Sequence, residues 1–268
     1  MTAVREPDVP YAFDNDEPTA AEMLGALGAT LDEFSTARLL AAGVGPGARC
    51  LEIGAGAGTI AVWLAEQVGP TGSVIATDLK PQHVPDHPQL TTLQHNVVTD
   101  PLPEGPFDVI HVRAVLQHLP QRREVLAKLA GALRPGGALV IEELEAGWSR
   151  AVLATPDPRA YEIFAAYERA LTAVLVSAGN DQTWNRMKHQ AMLDLGLDGV
   201  ETQGWQGSFP GGTGVCLLAY SGSHELQDRL VEAGMSLDDL DHLRRLALDP
   251  RLVLRGIHML STVGYKPR

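Results

Sequence analysis

The residues Gly54-Ala55-Gly56-Ala57-Gly58 follow Cys50-Leu51-Glu52-Ile53 and run straight into a segment with helical apolar spacing. Glycines there let the backbone take unusual dihedrals and approach a ligand that side chains would hold away. The start of the following helix adds free N–H groups and the positive end of a dipole. A G-x-G-x-x-G pattern would fit Gly54, Gly56 and position 59, but position 59 is threonine, and such a loop alone could serve any nucleotide. Two carboxylates narrow the chemistry. Asp78 ends the next apolar run, 20 residues after Gly58, where an acid can take two ribose hydroxyls. Glu52 lies just before the loop, where it would repel a pyrophosphate but suit a ligand carrying an ammonium group. That combination argues against NAD-dependent redox chemistry. It favours a cofactor with a ribose, an amino-acid end and no phosphate, as in S-adenosylmethionine.

Further candidates lie downstream. His111 and Arg113 fall where a fourth strand emerges, and His118 lies just beyond, at the edge where parallel sheets bind ligands. His118 could accept a proton or be a buried structural histidine, and Arg113 could meet a ligand carboxylate or a surface acid. Glu142, Glu143 and Glu145 follow a fifth strand; Glu143 is a candidate base, although solvated acids are the ordinary reading of such a cluster. No ligand spacing supports a metal. Trp184, Arg186, Lys188 and His189 could bound a substrate pocket, or form an amphipathic helix whose basic face is in solvent. Tyr161, Phe164, Tyr167 and Phe209 could line an apolar acceptor pocket, though helix-spaced aromatics more often pack a core.

These residues need elements to position them. Apolar spacing predicts helical structure over 19–42, with Gly25 and Gly28 suggesting a break between two helices. Strands are expected at 49–53, 73–77, 90–94, 107–112 and 138–141, with helices at 59–68 and 122–133. Strands and helices alternating at this spacing imply a parallel sheet wound in βαβ units. After Trp148 the pattern changes to helices over 157–178, 181–195, 215–233 and 237–248, with strands at 200–209 and 260–265. The organisation read from this is an N-terminal leader with helices (1–42), an α/β core (43–147), and lid helices that also complete the sheet (148–268).

Here the sequence resembles the class I S-adenosylmethionine-dependent methyltransferases over about residues 40–145. LEIGAGAG (51–58) is similar to the family's first motif, and VIATDL (74–79) to its second strand and ribose-binding acid. FDVIHVRAVLQHLP (107–120) is similar to the fourth strand and its turn, and LRPGGALVIEE (133–143) to the fifth. The resemblance implies a Rossmann-like seven-stranded sheet with an inserted helical lid. It also implies a site for S-adenosyl-L-methionine formed by Glu52, Gly54, Ala55, Gly56, Gly58, Asp78, Leu79, Asn96, Val97 and Arg113. The family often has an acid after the third strand for the adenine amino group; here Asn96 stands there, with Asp100 as the alternative. The leader YAFDN (11–15) and the C-terminal half resemble a subgroup that tailors small molecules, often in secondary metabolism, in which Tyr11 would help close over the cofactor.

The chain has 268 residues and a formal net charge of −12, from 21 basic and 33 acidic residues. That balance argues against nucleic acid as the main partner. Hydrophobic residues make up 45%, enough for a sizeable core. Cys50 and Cys216 read as reduced thiols; with no apolar leader or membrane-length run, a soluble cytoplasmic protein is the expectation. A homodimer is the default for such enzymes. The expected activity is methyl transfer to O, N or C of a small molecule. The alternatives are a protein or peptide methyltransferase, or a methyltransferase fold used as a cyclase or cofactor-binding module.

Overall fold

A computed structural model describes residues 20–145 and 147–268, so Tyr11 and the leader lie outside the described residues. Helix α1 spans Ala20–Ala41 and is followed by β1 (Arg49–Ile53), α2 (Thr59–Val68), β2 (Ser73–Asp78), β3 (Leu90–Gln94), β4 (Phe107–Arg113), α3 (Arg122–Ala132) and β5 (Leu133–Glu145). The remainder comprises β6 (Val152–Ala154), α4 (Ala160–Ser177), α5 (Trp184–Asp194), β7 (Asp198–Trp205) and β8 (Ser208–Pro210). It ends with α6 (Gly214–Glu225), α7 (Gln227–Glu232), α8 (Leu237–Leu248), β9 (Val253–Arg255) and β10 (His258–Tyr265).

The main sheet has seven strands in the order β3-β2-β1-β4-β5-β10-β7, parallel from β3 to β5 and antiparallel where β10 pairs with β5 and β7. The chain moves outward from β1 to β3, then returns to place β4 on the other side of β1. This reversal opens a crevice at the carboxyl ends of β1 and β4. Alternation along each strand feeds two cores. Cys50, Val109 and Val140 pack under α1 and α2 with Leu39 and Leu64, while Leu51, Ile110 and Ile141 pack with Leu129, Trp184 and Met192 on the side of α3 and α5.

A third core belongs to the C-terminal half. Trp148, Phe164, Tyr167, Leu175, Cys216, Leu230 and Leu243 join α4, α6, α7 and α8 in one apolar cluster, which also contains Leu254 of a small β6-β9-β8 sheet. Phe164 stacks on Trp148 at 6.3 Å between ring centroids, and Tyr167 meets the same indole edge-on at 5.5 Å. These two aromatics are core residues; Tyr161, by contrast, is exposed.

Four expectations need correction. The stretch before β1 is one 22-residue helix, not two. A Cβ at Gly28 would stand 3.2 Å from Asp32 Oδ2 and 3.4 Å from Thr59, where α1 passes the start of α2. Strand β5 extends through Glu145, because antiparallel pairing with β10 continues from Ala138 to Glu145. The segment 200–209 divides between two sheets, and 215–233 breaks at Leu226 into two helices. Neither β6 nor β9 was anticipated; each is three residues long and paired only by tertiary contact.

Because Phe164 is wholly buried in the third core and stacked on Trp148, Phe164→Ala should destabilise the protein by about 3–5 kcal/mol. Urea unfolding followed by tryptophan fluorescence measures this, and a loss below about 1 kcal/mol would mean that the cluster relaxes around the cavity.

Candidate active site

The loop between β1 and α2 is built from three glycines with positive φ: 72° at Gly54, 54° at Gly56 and 78° at Gly58. A Cβ at Gly54 would lie 2.3 Å from Val115 Cγ2, and one at Gly58 would lie 2.9 Å from both Val84 and Pro85. Neither position has room for a side chain, and neither backbone conformation suits one. The N–H groups of Gly54 and Ala55 donate to the Thr77 carbonyl at 2.8 and 3.0 Å, fixing the loop to β2.

Asp78 completes this attachment. Its Oδ2 accepts from the Gly56 N–H and its Oδ1 from the Lys80 N–H, both at 2.9 Å. Each carboxylate oxygen has two lone pairs, so one on each remains for a diol. The adjacent Leu79 side chain is half exposed, an apolar surface beside that carboxylate. Asn96 uses its amide oxygen to accept the Val98 N–H at 2.9 Å, and Asp100 Oδ2 accepts the Asn96 N–H at 2.8 Å. The backbone bond from Asn96 holds the Asp100 carboxyl below the usual range. Both residues thus close the turn after β3. Val97 is buried in the α3-side core.

Under the loop lies a run of buried charge. Glu52 Oε2 is 2.7 Å from His111 Nδ1, and His111 Nε2 is 3.2 Å from Glu142 Oε2. The Ser35 hydroxyl donates to that same Glu142 oxygen at 2.5 Å. Arg113 then donates to Ser35 Oγ at 3.1 Å and to Asp32 Oδ1 at 2.8 Å. Burial alone would depress the His111 pKa, but the facing Glu52 and Glu142 carboxylates outweigh it and raise it from 6.5 to about 9. Burial likewise opposes ionisation of Glu142, yet bonds from His111 and Ser35, with the Arg113 charge nearby, bring its pKa to about 2. His111 is therefore an imidazolium clamped between two carboxylates.

Several sequence expectations change. Glu52 does not stand free before the loop; it is engaged with His111. Glu142 and Glu143 are not solvated acids but wholly buried, and only Glu145 keeps solvent contact. Arg113 pairs with Asp32 of α1. Lys188 is not on a solvent face: it and Trp184 are buried, while Met187 is exposed. The clue to the buried charge was a pattern: Glu52, His111 and Glu142 each fall on alternating positions otherwise filled by core residues.

Beyond β4 the chain turns sharply at Ala114, a non-glycine residue with φ of 54°. The turn carries Val115 against Gly54 and leads to His118. Asn180, in the connection between α4 and α5, places its amide nitrogen 3.1 Å from His118 Nδ1. Arg122 donates to the Gly179 carbonyl at 2.8 Å and pairs with Asp181, tying the same connection to the crevice edge. Burial first, and the Arg122 charge second, lower the His118 pKa to about 4, so it stands neutral.

Removing the imidazolium would leave two buried carboxylates facing each other. His111→Ala should cost about 3–5 kcal/mol. Because the folded His111 pKa of about 9 lies above its 6.5 reference, its stabilisation is complete below pH 6.5 and is lost as pH rises through 9. Thermal unfolding of the wild type should show that loss across this window, and the variant should lack it; equal slopes in the two proteins would contradict the clamp.

Comparisons agree with this geometry. Residues 51–139 match the family model described as Methyltransferase domain. Methyltransferase str2 of Strobilurus tenacellus is 33% identical over 153 residues, covering 56% of this chain and 54% of that protein. The ubiquinone/menaquinone biosynthesis C-methyltransferase UbiE of Cupriavidus taiwanensis is 29% identical over 132 residues, covering 46% and 51% respectively. The chain thus spans about half the length of these curated relatives. A Haemonchus contortus phosphoethanolamine N-methyltransferase structure superposes with a TM-score of 0.57 at 14% identity, covering 95% of this chain and 60% of that one. A cyclopropane-fatty-acyl-phospholipid synthase-like protein from Lactobacillus casei gives the same TM-score at 16% identity, covering 93% and 94%. These structural likenesses carry the fold. Residues 51–139 are thus similar to a methyltransferase domain, and the solved structures share the fold of the whole described chain.

Proposed function

We propose that the protein transfers a methyl group from S-adenosylmethionine to an O, N or C atom of a small-molecule acceptor. The observation that carries this reading is the join between the positive-φ glycine loop and Asp78, at the point where the strand order reverses. The residues suit this cofactor. Asp78 retains acceptor capacity for two ribose hydroxyls, Leu79 offers an apolar surface to the adenine, and Asn96 or Asp100 lies at the adenine edge. Glu52, His111 and Glu142 together leave net negative charge under the loop, which favours an ammonium group and opposes a pyrophosphate. Arg113 and the leader residue Tyr11 complete the proposed cofactor site.

When bound, the cofactor supplies an already activated sulfonium methyl. The work of the protein is then mainly alignment, for which ordered binding can contribute roughly 7–11 kcal/mol. We assign His118 as the candidate proton acceptor at the crevice. The amide nitrogens of Asn180 and Gln117 lie 3.1 Å from its Nδ1 and 3.3 Å from its Nε2. It therefore takes up a proton only when one of these contacts opens, and its lowered pKa makes it a weak base. Glu143 is placed behind the turn rather than at its surface: its Oε1 accepts the Gln117 N–H at 3.1 Å. The C-terminal helices serve as a lid, held to the crevice edge through the 178–183 connection. A small acceptor is supported by relatives whose names place them in quinone biosynthesis, and by a structural neighbour complexed with phosphomonomethylethanolamine.

Calorimetric titration with S-adenosylmethionine, S-adenosylhomocysteine and NAD tests the reading. The first two should bind, NAD should not, and Asp78→Ala should weaken binding by about 1.5–3 kcal/mol, the worth of a charge-assisted hydrogen bond. Binding of NAD instead would overturn it. Turnover to S-adenosylhomocysteine with a small-molecule panel then separates transfer from a non-transferring binding module.

A further inference from the structure

Helix α3 begins with two arginines, and both reach the connection between α4 and α5. Arg122 lies between that connection and the turn after β4, with its side chain largely buried. Its guanidinium spreads over oxygens of both segments. On the turn side, Nε donates to Leu116 O at 3.3 Å and Nη2 to Gln117 O at 3.5 Å. On the connection side, Nη2 donates to Gly179 O at 2.8 Å and Nη1 to Asp181 Oδ2 at 3.2 Å. The Asp181 N–H adds a direct bond to the Gln117 carbonyl at 2.8 Å. Gly179, with φ of 86°, lets the two backbones come this close, since a Cβ there would lie 3.1 Å from Pro120. Asp181 in turn starts α5: its Oδ1 accepts the Thr183 N–H at 2.9 Å and the Thr183 hydroxyl at 2.7 Å. Arg123 lies over the Trp184 ring, 5.8 Å from its centroid.

His118 sits at the same join. Its Nδ1 meets Asn180 of the connection, its Nε2 meets Gln117 of the turn, and Gln182 donates to Asn180 Oδ1 at 2.7 Å. Parting the connection from the turn would draw Asn180 off the imidazole, which is one of the openings that proton uptake requires. We propose that Arg122 is a positioning residue, a latch that holds the 178–183 connection on the 114–118 turn and so keeps His118 seated and Val115 closed against Gly54. The inference rests on the reading above, in which His118 is the candidate proton acceptor and the C-terminal helices form a lid. The planar fork is what suits the role: its donors are fixed in directions that reach oxygens on two sides. A lysine ammonium carries the same charge but offers its three donors from one point. The charges that act on Arg122 are those of Asp181, Glu143 and Glu124, and the charge that acts on His118 is that of Arg122.

The test uses cofactor-free Arg122→Lys and Asp181→Ala, read by the imidazole NMR signals of His118, which are identified by their loss in His118→Gln. In wild type this ring should stay neutral until the pH falls to about 4. Arg122→Lys keeps the positive charge, so a change in the ring's titration reports opening and water access. The midpoint should rise by about one pH unit or more towards 6.5. Asp181→Ala leaves the Arg122 charge less compensated, which alone would lower the midpoint; a rise there again reports opening. A bond that served only cohesion would lower the melting temperature and leave the midpoint where it is in both variants, and that result would overturn the proposal. Where wild type binds S-adenosylhomocysteine, Arg122→Lys should bind it about tenfold more weakly through displacement of Val115, and equal affinity would overturn the hold on the glycine loop. If wild type binds none, the cofactor reading fails while the titration of His118 still decides the latch.

Discussion

The architecture of the site depends on compensating charge that has been taken out of water. An imidazolium between two carboxylates is tolerable in a protein interior only if its partners are held on both sides. Glu52 comes from β1, His111 from β4 and Glu142 from β5, with Ser35 and Arg113 extending the chain to α1. One electrostatic requirement thus fixes three strands and the first helix relative to each other, directly beneath the glycine loop. Arg38 adds a second attachment, donating to Ser261 of β10 at 3.3 Å and pairing with Glu201 of β7 at 2.7 Å.

The two-residue period of a strand turns one acidic dipeptide into two separate devices. Glu142 faces α1 and joins the clamp, whereas Glu143 faces α5 and supports the turn after β4. The glycine loop is therefore constrained from both sides: through β1 by the clamp, and through Val115 by the turn. Neither carboxylate needs to meet a ligand to matter. The geometry near the ligand follows from the partners each finds on its own face.

The C-terminal half has its own apolar core, yet it is not independent of the site. Its 178–183 connection is held by Arg122, Gln117 and His118, all at the carboxyl edge of the sheet. Phe34 of α1 lies stacked 6.5 Å from Trp205, which in turn lies 6.1 Å from Phe209. The C-terminal half is thus attached to α1 as well as to the carboxyl edge of the sheet. Among the described residues, no helix is long and apolar enough to cross a membrane.

By itself, the sequence determined the elements whose information is local. The β1-loop-α2 unit, with bounds at Arg49, Ile53, Thr59 and Val68, is legible because glycines, apolar runs and helix spacing each act over a few residues. The same holds for Asp78, whose place at the end of β2 follows from strand length and loop spacing. Tertiary structure alone decided the fate of the charges. Glu142, Glu143 and Lys188 read as solvated because the cost of burying a charge is offset only by partners distant in sequence; Ser35 lies 107 residues from Glu142, and Leu260 lies 72 from Lys188. The continuation of β5 to Glu145 and the existence of β6 and β9 were decided in the same way, by strands that pair only once β10 and the C-terminal helices are in place. Local pattern records where a chain turns and which face is apolar. It does not record which distant group will neutralise a buried carboxylate, and in this protein that choice sets the site.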